Sequence, residues 1–213
     1  MISHNKKEKS CLKIENECWI LKIMYIALNI RVMEFKKGNV YHVYNQGNNR
    51  RLVFIDRKHY LFFMKKLNDL ILPYADILAW CLMPNHFHLL LHVNEEKIIS
   101  QKTKKEISLN LAIGIMLRSY TRAVNNQMGW SGSIFREETK ALQIDVHEFC
   151  DINNINGERL KACFYYILLN PVKAGLVKKS EQWEFCSYKD SLNEISPRLI
   201  NLKRLKDFDL SVE

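Results

Sequence analysis

The stretch from Cys81 to Asn94, CLMPNHFHLLLHVN, constrains the fold more than any other part of the chain. Pro84 and Asn85 are typical turn residues, and the run that follows is apolar except for three histidines. If 85–93 is a β-strand, successive side chains point to opposite faces. One face then carries His86, His88, Leu90 and His92. The other carries Phe87, Leu89, Leu91 and Val93. The sequence therefore predicts a strand with a core face and a histidine face.

The elements around this strand predict an α+β fold. In chain order they are a strand from about Val40, a helix from Asp56 to Pro73, strands at 74–83 and 86–93, a helix at 109–124 and a strand within 133–144. The order βαββαβ is that of a ferredoxin-like antiparallel sheet with both helices on one face. An additional C-terminal helix, about 158–169, ends before Pro171 and carries the tyrosine discussed below.

Composition and charge limit the function classes. The 213 residues are 47% hydrophobic, and the six cysteines form no CxxC pair, so neither a zinc ribbon nor a disulfide scaffold is indicated. No apolar stretch reaches the roughly 20 residues of a membrane span. The net charge of +9 favours a polyanionic partner, nucleic acid before an anionic membrane surface. Residues 1–37 hold eight Lys/Arg and four Glu, which accounts for +4, so charge alone does not decide for nucleic acid.

Two histidines at i and i+2 could converge on one divalent ion. They are about 7 Å apart along a strand, but a third ligand must come from another element. Two half-buried histidines hydrogen-bonded to neighbours are the alternative, and HxH alone favours it. Tyr166 and Asn170 are i and i+4 on the later helix, where an amide oxygen suits a hard cation and a phenol can act as nucleophile. A packing tyrosine and a turn asparagine remain possible readings. Periodicity does not separate Tyr165 from Tyr166; only Asn170 favours Tyr166.

Four blocks in order resemble a known family. They are GNVYHVYNQGNNRRLVF, MPNHFHLLLHV, YILLNPVKAGLV and WEFCSYKDS. Together they resemble the single-tyrosine transposases of the HUH endonuclease superfamily, and within it the REP-associated tyrosine transposases. The resemblance covers about Gly38 to Ser191. We therefore predict a transposase domain at 38–191 and a C-terminal tail at 192–213. Residues 1–37 are interpreted as an N-terminal extension that is either disordered or a mis-assigned start, since MEFKKGNVYHV from Met33 would make a natural beginning.

The resemblance implies a mechanism and a set of residues. It implies a ferredoxin-like sheet in which His86 and His88 bind Mg²⁺ or Mn²⁺ with Asn170 as third ligand. Tyr166 would attack single-stranded or hairpin DNA, giving a 5′-phosphotyrosine adduct and a free 3′-hydroxyl. We accordingly expect a metal-dependent single-stranded DNA endonuclease and strand transferase in the cytoplasm of a bacterium, as a monomer or homodimer, with no membrane partner.

The remaining polar residues receive weaker predictions. Asn48, Asn49, Arg50 and Arg51 could contact DNA phosphates or bases, or form a solvated turn. We expect His92 to be a core residue or a neighbour of the ligands, and His42 matches the family pattern without an evident mechanism.

Two other functions compete with the transposase hypothesis. A domesticated relative could bind hairpin DNA or RNA and act as a regulator without cleaving it. This alternative predicts salt-dependent binding with no metal requirement. A metal phosphodiesterase using activated water would cleave whether or not Tyr166 is present.

The proposed ligands predict an acid limit for activity. Both imidazoles must be neutral to bind a metal, so we predict that activity falls below about pH 6. A pH–activity profile measures this. A profile that stays flat down to about pH 5 would count against His86 and His88 as ligands.

Overall fold

The computed structural model describes residues 34–101, 103–144, 155–192 and 199–212. The predicted N-terminal extension, 1–37, lies outside these ranges except for 34–37. Among the helices described, none has the length and apolar character that crossing a membrane requires.

A four-stranded antiparallel sheet forms the centre of the described chain. Its strands are β1 (Val40–Gln46), β2 (Ala75–Met83), β3 (His86–Val93) and β6 (Lys140–Ile144), and they lie in the order β2-β3-β1-β6. This is the ferredoxin-like order, so the predicted fold class is confirmed. A separate hairpin that the sequence did not predict, β4 (Lys97–Ile99) and β5 (Glu106–Ser108), precedes the second helix.

The predicted strand within 133–144 is shorter than expected. Pairing with β1 begins only at Lys140. Instead, the side-chain Nδ2 of Asn45 donates to the Arg136 carbonyl at 3.1 Å and to Thr139 Oγ1 at 2.9 Å. The Asn45 side chain thus bonds to this segment in place of a neighbouring strand, and 136–139 forms a loop at the end of β1.

Helices α1 (Arg57–Leu70) and α2 (Leu109–Met128) lie on the core face of the sheet. The Phe63 ring lies 5.2 Å from that of Phe87 on β3 and 5.2 Å from that of Tyr120 on α2. Asp56 caps α1 by accepting from the His59 amide, as the sequence predicts. Gly129 ends α2 at φ 66°, a conformation that glycine adopts without strain.

Helix α3 (Ile155–Leu168) lies on the histidine face, where the Tyr166 ring contacts the rings of His42 and His88. Pro171 has no amide hydrogen to continue α3, but it is compatible with a first helical turn. The chain accordingly starts a new short helix, α4 (Asn170–Lys173), directly after α3. Pro171 therefore lies in the first turn of α4, just after α3 has ended.

The C-terminal segments cover the free edge of β2. They include α5 (Tyr188–Ser191) and α6 (Leu202–Asp207). The Leu82 amide donates to the Phe185 carbonyl at 2.9 Å, and the Asn201 amide donates to the Ile77 carbonyl at 3.1 Å. Arg204 pairs with Asp76 at 3.0 Å. An edge that would otherwise present unpaired backbone groups is thus occupied.

The two faces of β3 predict a clear stability difference. Phe87→Ala removes a fully buried ring and should lower the free energy of unfolding by about 3–5 kcal/mol. The control Leu61→Ala, at a side chain 42% exposed on α1, should change it by about 0.5 kcal/mol or less. Urea unfolding measures both values. Equal losses would contradict the placement of Phe87 in the core.

Candidate active site

A cleft of about 260 Å³ opens on the histidine face of the sheet. His86 and His88 line it from β3, Tyr44 from β1 and Tyr166 from α3. The rings of His86 and His88 are 5.0 Å apart between centroids, and Tyr166 lies 5.5 Å from His88. The structure therefore brings the predicted histidine pair and the predicted tyrosine to one place.

Strand register explains why β1 contributes to this cleft. Tyr44 is directly opposite His88, and Gln46 is opposite His86. Directly paired residues in an antiparallel ladder point to the same face. The alternating residues His42, Tyr44 and Gln46 thus extend the histidine face onto the neighbouring strand.

His42, which the sequence left without a role, hydrogen-bonds to His88. The distance from His42 Nε2 to His88 Nδ1 is 3.0 Å, and both side chains are buried. If His88 donates from Nδ1, its Nε2 keeps a lone pair for another partner. An imidazole held in this way has a defined tautomer and ring orientation, which metal-binding histidines require.

His86 is oriented by its neighbour in the chain. Its Nδ1 lies 2.6 Å from Asn85 Oδ1, which can only accept, so Nδ1 carries the proton and Nε2 the lone pair. Burial lowers the pKa of His86, and a hydrogen bond with the Asn170 side chain partly opposes the shift. The lowered pKa favours the neutral imidazole and moves its protonation to a lower pH than usual.

Asn170 is buried at the start of α4 and lies within hydrogen-bonding reach of His86. The three predicted ligands are therefore neighbours. Among the described residues, no group of three or more His, Cys, Asp or Glu side chains could hold a metal ion. A metal in this cleft would depend on the Asn170 amide as the ligand beside two imidazoles. Two neutral ring nitrogens and one amide oxygen fit a divalent ion with positions left open for substrate.

The structure separates Tyr165 from Tyr166, which helical periodicity does not. The Tyr165 hydroxyl donates to the Ser211 carbonyl at 2.7 Å, on the side of α3 that faces the C-terminal segment. Lys161 pairs with Asp209 at the same junction. Tyr166 faces the sheet, and its ring lies 6.0 Å from that of His42. Tyr165 thus attaches α3 to the C-terminal segment, whereas Tyr166 belongs to the cleft.

Sequence reasoning missed several residues of the site, among them Tyr44, Arg136, Lys140 and Lys173. The first three line the cleft, and Lys173 Nζ lies 5.3 Å from the Tyr166 ring. Burial raises the pKa of the Tyr44 hydroxyl; the charge of Lys140 opposes this rise, and Tyr166 adds to it. The Tyr44 hydroxyl therefore stays protonated and can donate a hydrogen bond. The alternation of His42 and Tyr44 on β1 could have signalled Tyr44, but no sequence pattern signals the three cationic residues.

His92 lies at the other end of β3, away from the cleft. Its Nδ1 is 3.2 Å from Asn94 Oδ1 and 3.9 Å from Asp76 Oδ2, and its ring contacts Phe208. These contacts fit the predicted role as a core residue outside the ligand pair.

The predicted nucleic-acid loop, Asn48 to Arg51, lies beside the cleft without lining it. Asn49 and Arg50 adopt positive φ angles of 52° and 58° in a 3-10 turn. A Cβ on Gly47 would meet the Arg51 carbonyl oxygen at 2.3 Å, so the turn requires glycine there. The Gly47 amide donates to the Asn85 carbonyl at 2.8 Å. Asn85 thus connects this loop to His86.

Comparison with known proteins supports the fold. The chain is similar to a solved structure of a REP-associated tyrosine transposase bound to a REP hairpin, with 17% identity and a TM-score of 0.51 over 81% of this chain and 93% of that one. A "putative transposase" from Deinococcus radiodurans aligns with 19% identity and a TM-score of 0.38 over 62% of this chain and 98% of that one. No protein-family model and no curated protein matches the sequence. The predicted resemblance is confirmed at the level of the fold.

The hydrogen bonds of the site predict histidine tautomers. At about pH 8, where histidine is neutral, His86 should carry its proton on Nδ1. The control is His59, whose Nδ1 accepts from the backbone amides of Ile55 and Asp56 at 3.4 and 3.3 Å and which should be protonated on Nε2. Long-range ¹H–¹⁵N correlation spectra distinguish the two forms. An Nε2 proton on His86 would contradict its proposed orientation.

Proposed function

We propose that this protein is a metal-dependent single-stranded DNA endonuclease and strand transferase that uses Tyr166 as nucleophile. The observation that carries the proposal is the placement of Tyr166 in one cleft with His86 and His88, while Tyr165 is bonded elsewhere. A phenol beside two oriented imidazoles and a buried amide is an arrangement suited to phosphoryl transfer.

The reaction exchanges one phosphate ester for another. Tyr166 Oη attacks the phosphorus of a phosphodiester, and the bond from phosphorus to the 3′ oxygen breaks. The phenol loses its proton and the departing 3′ oxygen gains one, which gives a 5′-phosphotyrosine and a 3′-hydroxyl. Because the number of phosphate ester bonds is conserved, rejoining the strand to another 3′-hydroxyl needs no external energy source.

His86, His88 and Asn170 would hold the metal. A bound Mg²⁺ or Mn²⁺ would supply charge stabilisation at the phosphate and orient the reacting oxygens. His42 orients the ring of His88 and Asn85 orients that of His86, so each of the two proposed histidine ligands has its own positioning residue.

Cationic side chains make the cleft suitable for binding a phosphate group. Arg136 and Lys140 line it, with Lys140 paired to Glu138, and Lys173 lies at the Tyr166 ring. Arg136 has no carboxylate partner within the described ranges, so its charge is available to a ligand. Guanidinium groups bind phosphate oxygens through two parallel hydrogen bonds.

The proposed substrate is single-stranded DNA that carries a hairpin. A REP hairpin is bound in the structure of the similar REP-associated tyrosine transposase. The charge of the cleft and the loop at Asn48–Arg51 support the same class of partner for this chain.

Adjacent tyrosines provide a matched test. With hairpin-bearing single-stranded DNA and Mn²⁺, we expect Tyr166→Phe to abolish the covalent protein–DNA adduct because the nucleophile is lost. Tyr165→Phe should retain the adduct, since that hydroxyl donates to the Ser211 carbonyl away from the cleft. Denaturing gel electrophoresis with end-labelled DNA measures both, and a metal chelator should also abolish the adduct.

The other outcomes identify the competing functions. An adduct that survives Tyr166→Phe would move the nucleophile to another residue. Cleavage without an adduct would favour a phosphodiesterase that uses water. Tight, metal-independent hairpin binding with no cleavage would favour a regulator derived from a transposase.

A further inference from the structure

A second groove, of about 600 Å³, lies between α2 and the segment 130–139. Its lining includes Arg118, Arg122 and Asn126 from α2, with Trp130 and Arg136 opposite. Arg136 lines both this groove and the Tyr166 cleft. The two depressions therefore meet at one arginine, whose amide is bonded to the Gln46 carbonyl at the end of β1.

The groove is cationic, and its charge is not neutralised within the described ranges. Arg118, Arg122 and Arg136 form no ion pair with a described carboxylate, and Glu137 is the acidic residue of the lining. Elsewhere, Arg57 and Arg204 are paired with Glu184 and Asp76. Arginines that lie along a groove without carboxylate partners favour the binding of an extended anionic ligand that spans the length of the groove.

The basic residues follow one side of α2. Arg118, Arg122 and Asn126 are spaced at i, i+4 and i+8, which places them in a row about 12 Å long. The opposite side of the helix is buried at Met116 and Tyr120. The row is thus an exposed polar track on a helix that the core holds rigid.

Trp130 adds an aromatic surface to this track. Its side chain is 39% exposed, which is unusual for so large an apolar group. The guanidinium carbon of Arg51 lies 4.7 Å from the ring centroid, and the Trp130 amide donates to the Asn125 carbonyl at 2.9 Å. The indole is therefore held in place before any ligand binds. Exposed aromatic rings beside cationic grooves stack unpaired bases.

We propose that this groove binds the single-stranded DNA segment that leads to Tyr166. Arg118 and Arg122 contact its phosphates, Trp130 stacks on a base, and Arg136 receives the strand where the groove meets the cleft. Arg51 joins the predicted nucleic-acid loop to this surface through Trp130. The inference rests on the proposed function, but it assigns binding to residues that, except for Arg136, lie outside the Tyr166 cleft.

The test measures binding without cleavage. In full-length Tyr166→Phe protein, fluorescence anisotropy follows labelled single-stranded oligothymidylate over a salt series. Arg118→Gln/Arg122→Gln should lower the slope of log affinity against log salt by about 1.4, since each lost phosphate contact on a single strand contributes about 0.7. The control Lys203→Gln/Lys206→Gln removes the same charge from exposed residues beside β2, at the opposite edge of the sheet, and should keep the slope.

Trp130 has its own control. Trp130→Ala should weaken oligothymidylate binding about fivefold or more, and Trp130→Phe should restore most of it. An abasic strand of the same length should bind Trp130→Ala and the parent equally, a result that a general loss of structure would not produce.

Equal slopes for the two double variants, or no binding of oligothymidylate at all, would overturn the groove proposal. If adduct formation through Tyr166 persists in that case, the proposed chemistry stands and only the groove is wrong. If the groove variants behave as expected but no adduct forms, the protein binds single strands there and the proposed chemistry is wrong.

Discussion

Strict alternation along β3 is the constraint on which the rest of the structure depends. The strand is central in the sheet, between β2 and β1, and its two faces carry incompatible chemistry. Phe87 faces α1, and His88 faces Tyr166. A slip of one residue would bury the imidazoles against phenylalanines and empty the cleft. Burial of the apolar face of β3 thus determines where the imidazoles point, so the packing of the core sets the position of the site on the opposite face.

Local patterns of the sequence were sufficient for the fold and for part of the site. The two faces of β3 follow from alternation alone, and the order of elements follows from apolar periodicity and residues such as Asp56. Contacts between distant segments were not accessible. The register of β1 against β3 brings His42 to His88, and the carbonyl of Ser211 takes up Tyr165. No pattern within β1 or α3 encodes those partners, so the contact of His42 with His88 and the attachment of Tyr165 came only from the structure. For Tyr166 itself, the sequence already offered the spacing to Asn170.

The distribution of charge carries more information than its total. A net charge of +9 is compatible with several anionic partners. In the folded chain, cations such as Lys37 and Lys65 are paired with nearby carboxylates on the surface, where such pairs contribute little to stability. Those along α2 and at Arg136 are not paired within the described residues. The unpaired cations therefore mark a surface that runs from α2 to the cleft, where an anionic partner can bind.

The C-terminal cover of β2 has a consequence for the order in which the protein is made. Arg204 and the Asp76 that it binds are 128 residues apart in sequence. At about 5–20 residues per second, a ribosome needs about 6–25 s between these positions. During that interval the edge of β2 has emerged without the segment that pairs with it, and it can pair with other chains. Contacts of such long sequence separation also form late in folding. The histidines are therefore synthesised early, but the scaffold that holds the tyrosine helix is completed among the last steps.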